Sequence, residues 1–122
     1  MKKQPFSLRR RLQSFRYALS GIGQFLIREH NAWIHLAATL VVAVLAIIYR
    51  VSHTEAIALI LVIGLVWITE MLNTCLERTA DLIMEEDHPE IKLIKDIAAG
   101  AVLVAAITAL LVGLFIFIPR IF

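Results

Sequence analysis

One cysteine, Cys75, in 122 residues leaves no partner for an internal disulfide and no thiolate cluster for a metal. Its expected role is that of a small packing residue. Charged residues make up only 18% of the chain, and the net charge of +2 points to no class of partner. The usual phosphate-binding loops are missing too. There is no G-x-x-x-x-G-K-[ST], and Gly21-Ile22-Gly23 is neither completed to G-x-G-x-x-G nor preceded by a strand. A phosphate site would therefore have to be assembled from Arg10, Lys95 and a metal ion. No repeat or low-complexity tract is present. The N-terminus has a long basic region and no clear cleavage site, so it is not expected to be a signal peptide.

Apolar residues are what the chain has in abundance. They reach 60%, with a mean hydropathy of +0.81, well above a soluble domain. Three apolar runs, 32–49, 56–72 and 97–118, stand out. At about 1.5 Å per residue each can cross a hydrocarbon core of roughly 30 Å, the second if extended to Glu77. The expected fold is an all-α integral membrane protein, one domain over 1–122. Its parts are an amphipathic surface helix and junction over 1–30 and spans over 32–49, 56–77 and 97–118.

Lys2, Lys3, Arg9, Arg10, Arg11, Arg16 and Arg28 all precede the first span. Only Arg50 follows that span directly, and only Arg120 follows the third. The positive-inside rule places the N-terminus and the second connection in the cytoplasm. Leu8, Leu12, Phe15, Leu19, Ile22 and Leu26 share one helical face, which suits an anionic membrane surface. Gly21 and Gly23 in that segment are expected to mark a bend or a close approach. Between the first two spans, 51–55 reads as a tight external turn. The third span is rich in alanine and glycine, which favours close helix packing, and Pro119 is expected to stop it.

The chemistry concentrates in the stretch 70–81. Glu70, Asn73, Glu77 and Asp81 advance by 3, 4 and 4 residues and fall within roughly 80° on a helix. An ionisable residue inside a membrane segment reads first as a functional site. A carboxylate in apolar surroundings is a better proton acceptor than one in water. Glu70 is thus placed as a base deep in the membrane, and Glu77, about 10 Å further along, near the aqueous boundary. Glu29 lies at the same boundary, so Glu29 and Glu77 could bracket a divalent ion with hard oxygen ligands. Asn73 can orient a hydroxyl or a phosphate. Two other readings remain open from the residues alone. One is an ion-translocating subunit with Glu70 as carrier; the other is a structural bundle in which Glu70 pairs with a polar neighbour.

The combination Glu70-x-x-Asn73-Thr74-x-x-Glu77-x-x-x-Asp81, then His88-Pro89, then Lys95-Asp96-x-Ala98-Ala99-Gly100, resembles the small prokaryotic diacylglycerol kinase family. The likeness runs over nearly the whole chain. Arg28-Glu29-x-Asn31 with His35, and the His88-Pro89 connection, look more like the undecaprenol kinase branch. Ala99 stands where the diacylglycerol branch carries a serine near substrate. The resemblance implies a homotrimer in the bacterial cytoplasmic membrane, with active sites between protomers on the cytoplasmic side. It also implies transfer of a phosphoryl group from ATP, with Mg²⁺, to a membrane lipid alcohol, and no nucleic-acid partner. Undecaprenol is the preferred acceptor and diacylglycerol the alternative. By the same resemblance Glu70 is the catalytic base and Asn73 lines the active centre. Glu29 and Glu77 are metal ligands. Arg10, Tyr17, Glu29, Glu77, Glu86, Asp87, His88, Lys95 and Asp96 fall where the family contacts ATP.

Overall fold

The computed structural model describes residues 3–84 and 87–122. Among these residues all regular structure is helical: α1 (Leu8–Arg28), α2 (His30–Ile48), α3 (His53–Ile83) and α4 (Pro89–Ile121). The last three are long and apolar enough to cross a membrane. The chain divides into two compact units, Met1–Leu36 and Ala37–Phe122.

In the first unit, α1 is separated from α2 by a single extended residue, Glu29, with φ −109° and ψ 120°. The Glu29 N–H donates to the Phe25 carbonyl at 3.1 Å, and its own carbonyl accepts from the Ala32 N–H at 3.2 Å. The break therefore leaves few backbone groups unpaired. Arg28 Nε donates to Gln24 Oε1 at 3.0 Å, one turn back. Gly21 and Gly23 lie inside an unbroken helix, and a Cβ on either would meet no atom within 4 Å. The expected close approach is therefore not made among the described residues.

In the second unit α3 and α4 pack against each other. Leu59, Ile116 and Phe117 form the buried cluster, with Val42, Leu45, Ala46 and Tyr49 against it. The Tyr49 and Phe117 rings lie 6.3 Å apart at 60°, a tilted aromatic contact. Trp67 Nε1 donates to Thr39 Oγ1 at 2.9 Å, which satisfies a polar atom inside an apolar stretch. Small residues mark the inner face of α4, where Ala98 and Ala105, two turns apart, are both buried. Cys75 is exposed, so it does not pack within the chain as expected.

The helix ends differ from the sequence expectation, and each difference has a local cause. The turn before α3 is shorter than 51–55, because Ser52 caps the helix. Its hydroxyl accepts from the Glu55 N–H at 3.2 Å and its N–H donates to Glu55 Oε1 at 3.0 Å. This capping box starts the helix at His53. α4 starts well before residue 97, at Pro89, where a proline suits the first helical position. Pro119 does not stop α4. A proline forfeits only its own bond to the turn before it, and the Phe122 N–H still donates to the Ile118 carbonyl at 3.0 Å.

At the end of this unit remote from the acidic stripe, the Glu55 carboxylate also accepts from Arg120 at the last turn of α4. Ser52→Ala is expected to cost about 1 kcal/mol by removing the cap, read as a lower melting temperature in micelles. The Ser52 N–H and hydroxyl, and then Arg120, hold the Glu55 carboxyl below its ordinary value. A carboxylate with a lower pKa folded than unfolded adds stability that is present above the unfolded value. That part is lost as pH falls through the folded value. The acid side of the melting profile should therefore flatten in Glu55→Gln.

Candidate functional site

Glu70 is the one buried charged residue among those described, 5% exposed in the middle of α3. From His53 it lies about 26 Å along the helix, far from the end capped by Ser52. Burying a carboxylate is costly unless it is paired or hydrogen-bonded, and this one sits on the side of α3 that carries the acidic series. One turn on, Asn73 Nδ2 donates to Glu77 Oε1 at 3.3 Å, while Asn73 Oδ1 is buried with no partner among the described residues. An orphaned acceptor in an apolar setting is a standing invitation to a donor from outside the chain.

The place of Asn73 on α3 explains why it serves two neighbourhoods. Thr69, Leu72, Asn73 and Leu76 share a face by their spacing of 3, 1 and 3 residues. With Ile94, Ile97, Ala98 and Ala101 of α4 they line a groove of about 350 Å³. The Thr69 hydroxyl is already committed to the Leu65 carbonyl at 2.8 Å. Asn73 is therefore the open polar group of an otherwise apolar groove. On the helical projection it falls roughly midway between that face and the one carrying Glu70, Glu77 and Asp81.

Beyond the groove, a second cleft of about 500 Å³ opens where α3 ends and α4 begins. Asp81, Asp87, His88, Lys92, Lys95 and Asp96 line it. Lys95 Nζ donates to Asp81 Oδ1 at 2.6 Å, and Lys92 Nζ to Asp96 Oδ2 at 2.5 Å. The bond to Asp81 above all, and then the nearby carboxylates of Glu77 and Asp87, hold the Lys95 ammonium above its ordinary value. Asp96 likewise holds Lys92 upward. Both lysines precede the apolar stretch of α4 and stay charged across the physiological range. His88 caps α4, its Nδ1 accepting from the Glu90 N–H at 3.1 Å.

Of the residues expected at the site, the second unit gathers Asp87, His88, Lys95 and Asp96 about one cleft. Glu70, Asn73 and Glu77 continue from it along α3. Glu86 lies outside the described residues. Arg10 and Tyr17 stand on α1 and Glu29 at the α1 end, all in the first unit. Asp81 was visible in the acidic series but had no assigned partner, and its pairing with Lys95 across fourteen residues leaves no local signal.

The acidic donors suit Mg²⁺. They are hard oxygens, and magnesium is held typically by one or two carboxylates with substrate phosphates and water completing its shell. That chemistry does not need three protein ligands, and no cluster of three occurs among the described residues.

The family described as prokaryotic diacylglycerol kinase matches residues 16–117. The chain is 39% identical over 113 residues to the undecaprenol kinase of Bacillus subtilis, a match covering 93% of this chain and 92% of that protein. It is 42% identical over 112 residues to a diacylglycerol kinase of Synechocystis sp., covering 88% of this chain and 62% of that protein.

Proposed function

We propose, on the premise that this chain belongs to the prokaryotic diacylglycerol kinase family and is a lipid kinase, that it phosphorylates the hydroxyl of a membrane lipid alcohol from Mg-ATP. The observation that carries the reading is the buried Glu70 one turn from the open oxygen of Asn73. Together they offer a hydroxyl an acceptor and a base at membrane depth, with a phosphate-level cleft at the helix ends.

In this reading the lipid lies along the apolar groove and its hydroxyl meets Asn73. Glu70 takes the hydroxyl proton as the oxygen forms its bond to the γ-phosphorus, and the bond to the ADP oxygen breaks. Glu77 and Glu29 are the carboxylates that would hold magnesium, which supplies neutralising charge to the phosphates when bound. Lys95 adds a positive charge to the same phosphates, steadied by Asp81. Arg10, Tyr17, Glu86, Asp87, His88 and Asp96 complete the nucleotide contacts. Undecaprenol is the preferred acceptor, supported by the near full-length likeness to an undecaprenol kinase. Ala99, where the diacylglycerol branch has serine, points the same way; the likeness to a diacylglycerol kinase supports diacylglycerol as the alternative. A homotrimer with the site between protomers is the assembly in this reading, supported by the resemblance to the family. The excess of arginine and lysine before α2 supports a multi-pass protein of the bacterial cytoplasmic membrane with the site inside. The whole chain is read as one kinase domain.

Incubation in micelles with labelled ATP, Mg²⁺ and either lipid tests the reading. Labelled undecaprenyl phosphate should exceed labelled phosphatidic acid, and absence of both products would refute kinase activity. Asp81→Asn is expected to raise KM for ATP roughly three- to tenfold with a smaller change in kcat, since it loosens Lys95 without removing it. A steady-state titration of ATP at saturating lipid measures this split.

A further inference from the structure

Apart from Thr69 and Asn73, the groove between α3 and α4 is aliphatic, lined by Leu72, Leu76, Ile94, Ile97, Ala98 and Ala101. Both of its side-chain donor groups are engaged. The Thr69 hydroxyl donates to the Leu65 carbonyl at 2.8 Å, with the Val66 carbonyl at 3.1 Å. Asn73 Nδ2 donates to Glu77 at 3.3 Å. The backbone N–H groups of both walls lie inside helices and bond to the turn before them. What stays open is an acceptor, Asn73 Oδ1, buried with no partner among the described residues. The lining takes a donor and gives none.

That balance discriminates among lipid alcohols. A polyprenol has one polar group, a hydroxyl, whose proton is the donor that Asn73 lacks. A diacylglycerol has such a hydroxyl too, but its ester carbonyls hang from the neighbouring glycerol carbons, within about one helical turn of it. Inside the groove those carbonyls are acceptors without donors. A buried acceptor left unpaired weakens an equilibrium by about five- to a hundredfold. We propose that the α3–α4 groove selects its lipid by polarity, accepting long-chain alcohols whose hydroxyl is their one polar group and rejecting lipids that carry ester carbonyls. This rests on the kinase reading and on the lipid's place in the groove. It makes Asn73 and the aliphatic walls determinants of acceptor specificity. Selection by width would act differently, turning away any two-chained lipid, ester or ether alike.

The test compares three acceptors for the full chain in the same micelles with Mg-ATP: undecaprenol, a 1,2-diacylglycerol, and the 1,2-dialkylglycerol of equal chain length. The dialkyl lipid keeps both chains and the hydroxyl but lacks the carbonyls. Its kcat/KM should exceed that of the diacyl lipid by at least about fivefold, the lower bound for one unpaired carbonyl. Equal values for the two glycerol lipids would overturn the proposal. Leu72 and Ile97 stand on opposite walls and are 58% and 65% exposed, so a longer polar side chain fits at either. Leu72→Gln and Ile97→Gln each add an amide donor, and at least one should bring the dialkyl-to-diacyl ratio toward one. A ratio at the parent value in both would also count against the proposal. Undecaprenol bearing a photoreactive diazirine in its first isoprene unit should label peptides within 69–76 or 94–101. Labelling elsewhere, or a second copy of the chain cross-linked across the groove instead, would take the lipid out of the groove and end the proposal. Absence of product from all three lipids would sink the kinase reading and the proposal with it, a result distinct from equal use of the two glycerol lipids.

Discussion

Glu70→Gln is expected to lower kcat by roughly a hundred- to ten-thousand-fold, the share of a rate that a positioned base supplies. The ATP KM should stay within about twofold, because Glu70 stands on the membrane side of the phosphate-level cleft. The two side chains are nearly equal in volume, so the packing around α3 is kept. Glutamine also keeps a carbonyl oxygen that can accept where the carboxylate does. The signature is therefore a melting temperature close to the parent's together with a lost rate. Thermal unfolding in micelles and single-turnover phosphorylation of undecaprenol measure the two sides. Near-parental turnover would remove Glu70 from the role of base.

The second large effect is expected from Glu77→Gln. Glutamine keeps an oxygen acceptor for the Asn73 Nδ2 bond of 3.3 Å, so the geometry of the turn persists while the negative charge goes. Loss of one hard anionic ligand should lower kcat/KM by on the order of a hundredfold at fixed Mg²⁺, and part of the loss should return as Mg²⁺ is raised. A magnesium titration at saturating lipid reads this directly. A variant with the parent's magnesium dependence would show that Glu77 is not a metal ligand. The two substitutions thus separate the ends of one helical series: depth in the membrane for Glu70, the level of metal and phosphate for Glu77.

Much of this was legible because membrane-protein sequence is governed by local rules. An apolar run of sufficient length has few options in a bilayer other than a helix, since its backbone groups must bond within the segment. The three spans and the face shared by Glu70, Asn73, Glu77 and Asp81 followed from length and a period of 3.6. The capping box at Ser52 and Glu55 was equally local, yet residues 51–55, polar from Ser52 on, read as turn because hydropathy falls there before helicity begins. Pro119 misled for a related reason. A proline gives up its own bond to the turn before it, while the residues that follow can still bond back, as Phe122 does to Ile118.

What the sequence by itself determined is the number of apolar helices, the asymmetric placement of basic residues, and the single acidic face of α3. Those depend on spacing along one chain, and spacing is what a sequence records. What only the tertiary structure decided is which groups are taken and which stay open. Lys95 is held by Asp81, fourteen residues away, and Arg120 by Glu55, sixty-five away. Among the described residues Asn73 Oδ1 is left without a partner, in a groove that exists only because α4 packs beside α3. Such pairings depend on the distance and rotation between helices, which no periodicity encodes.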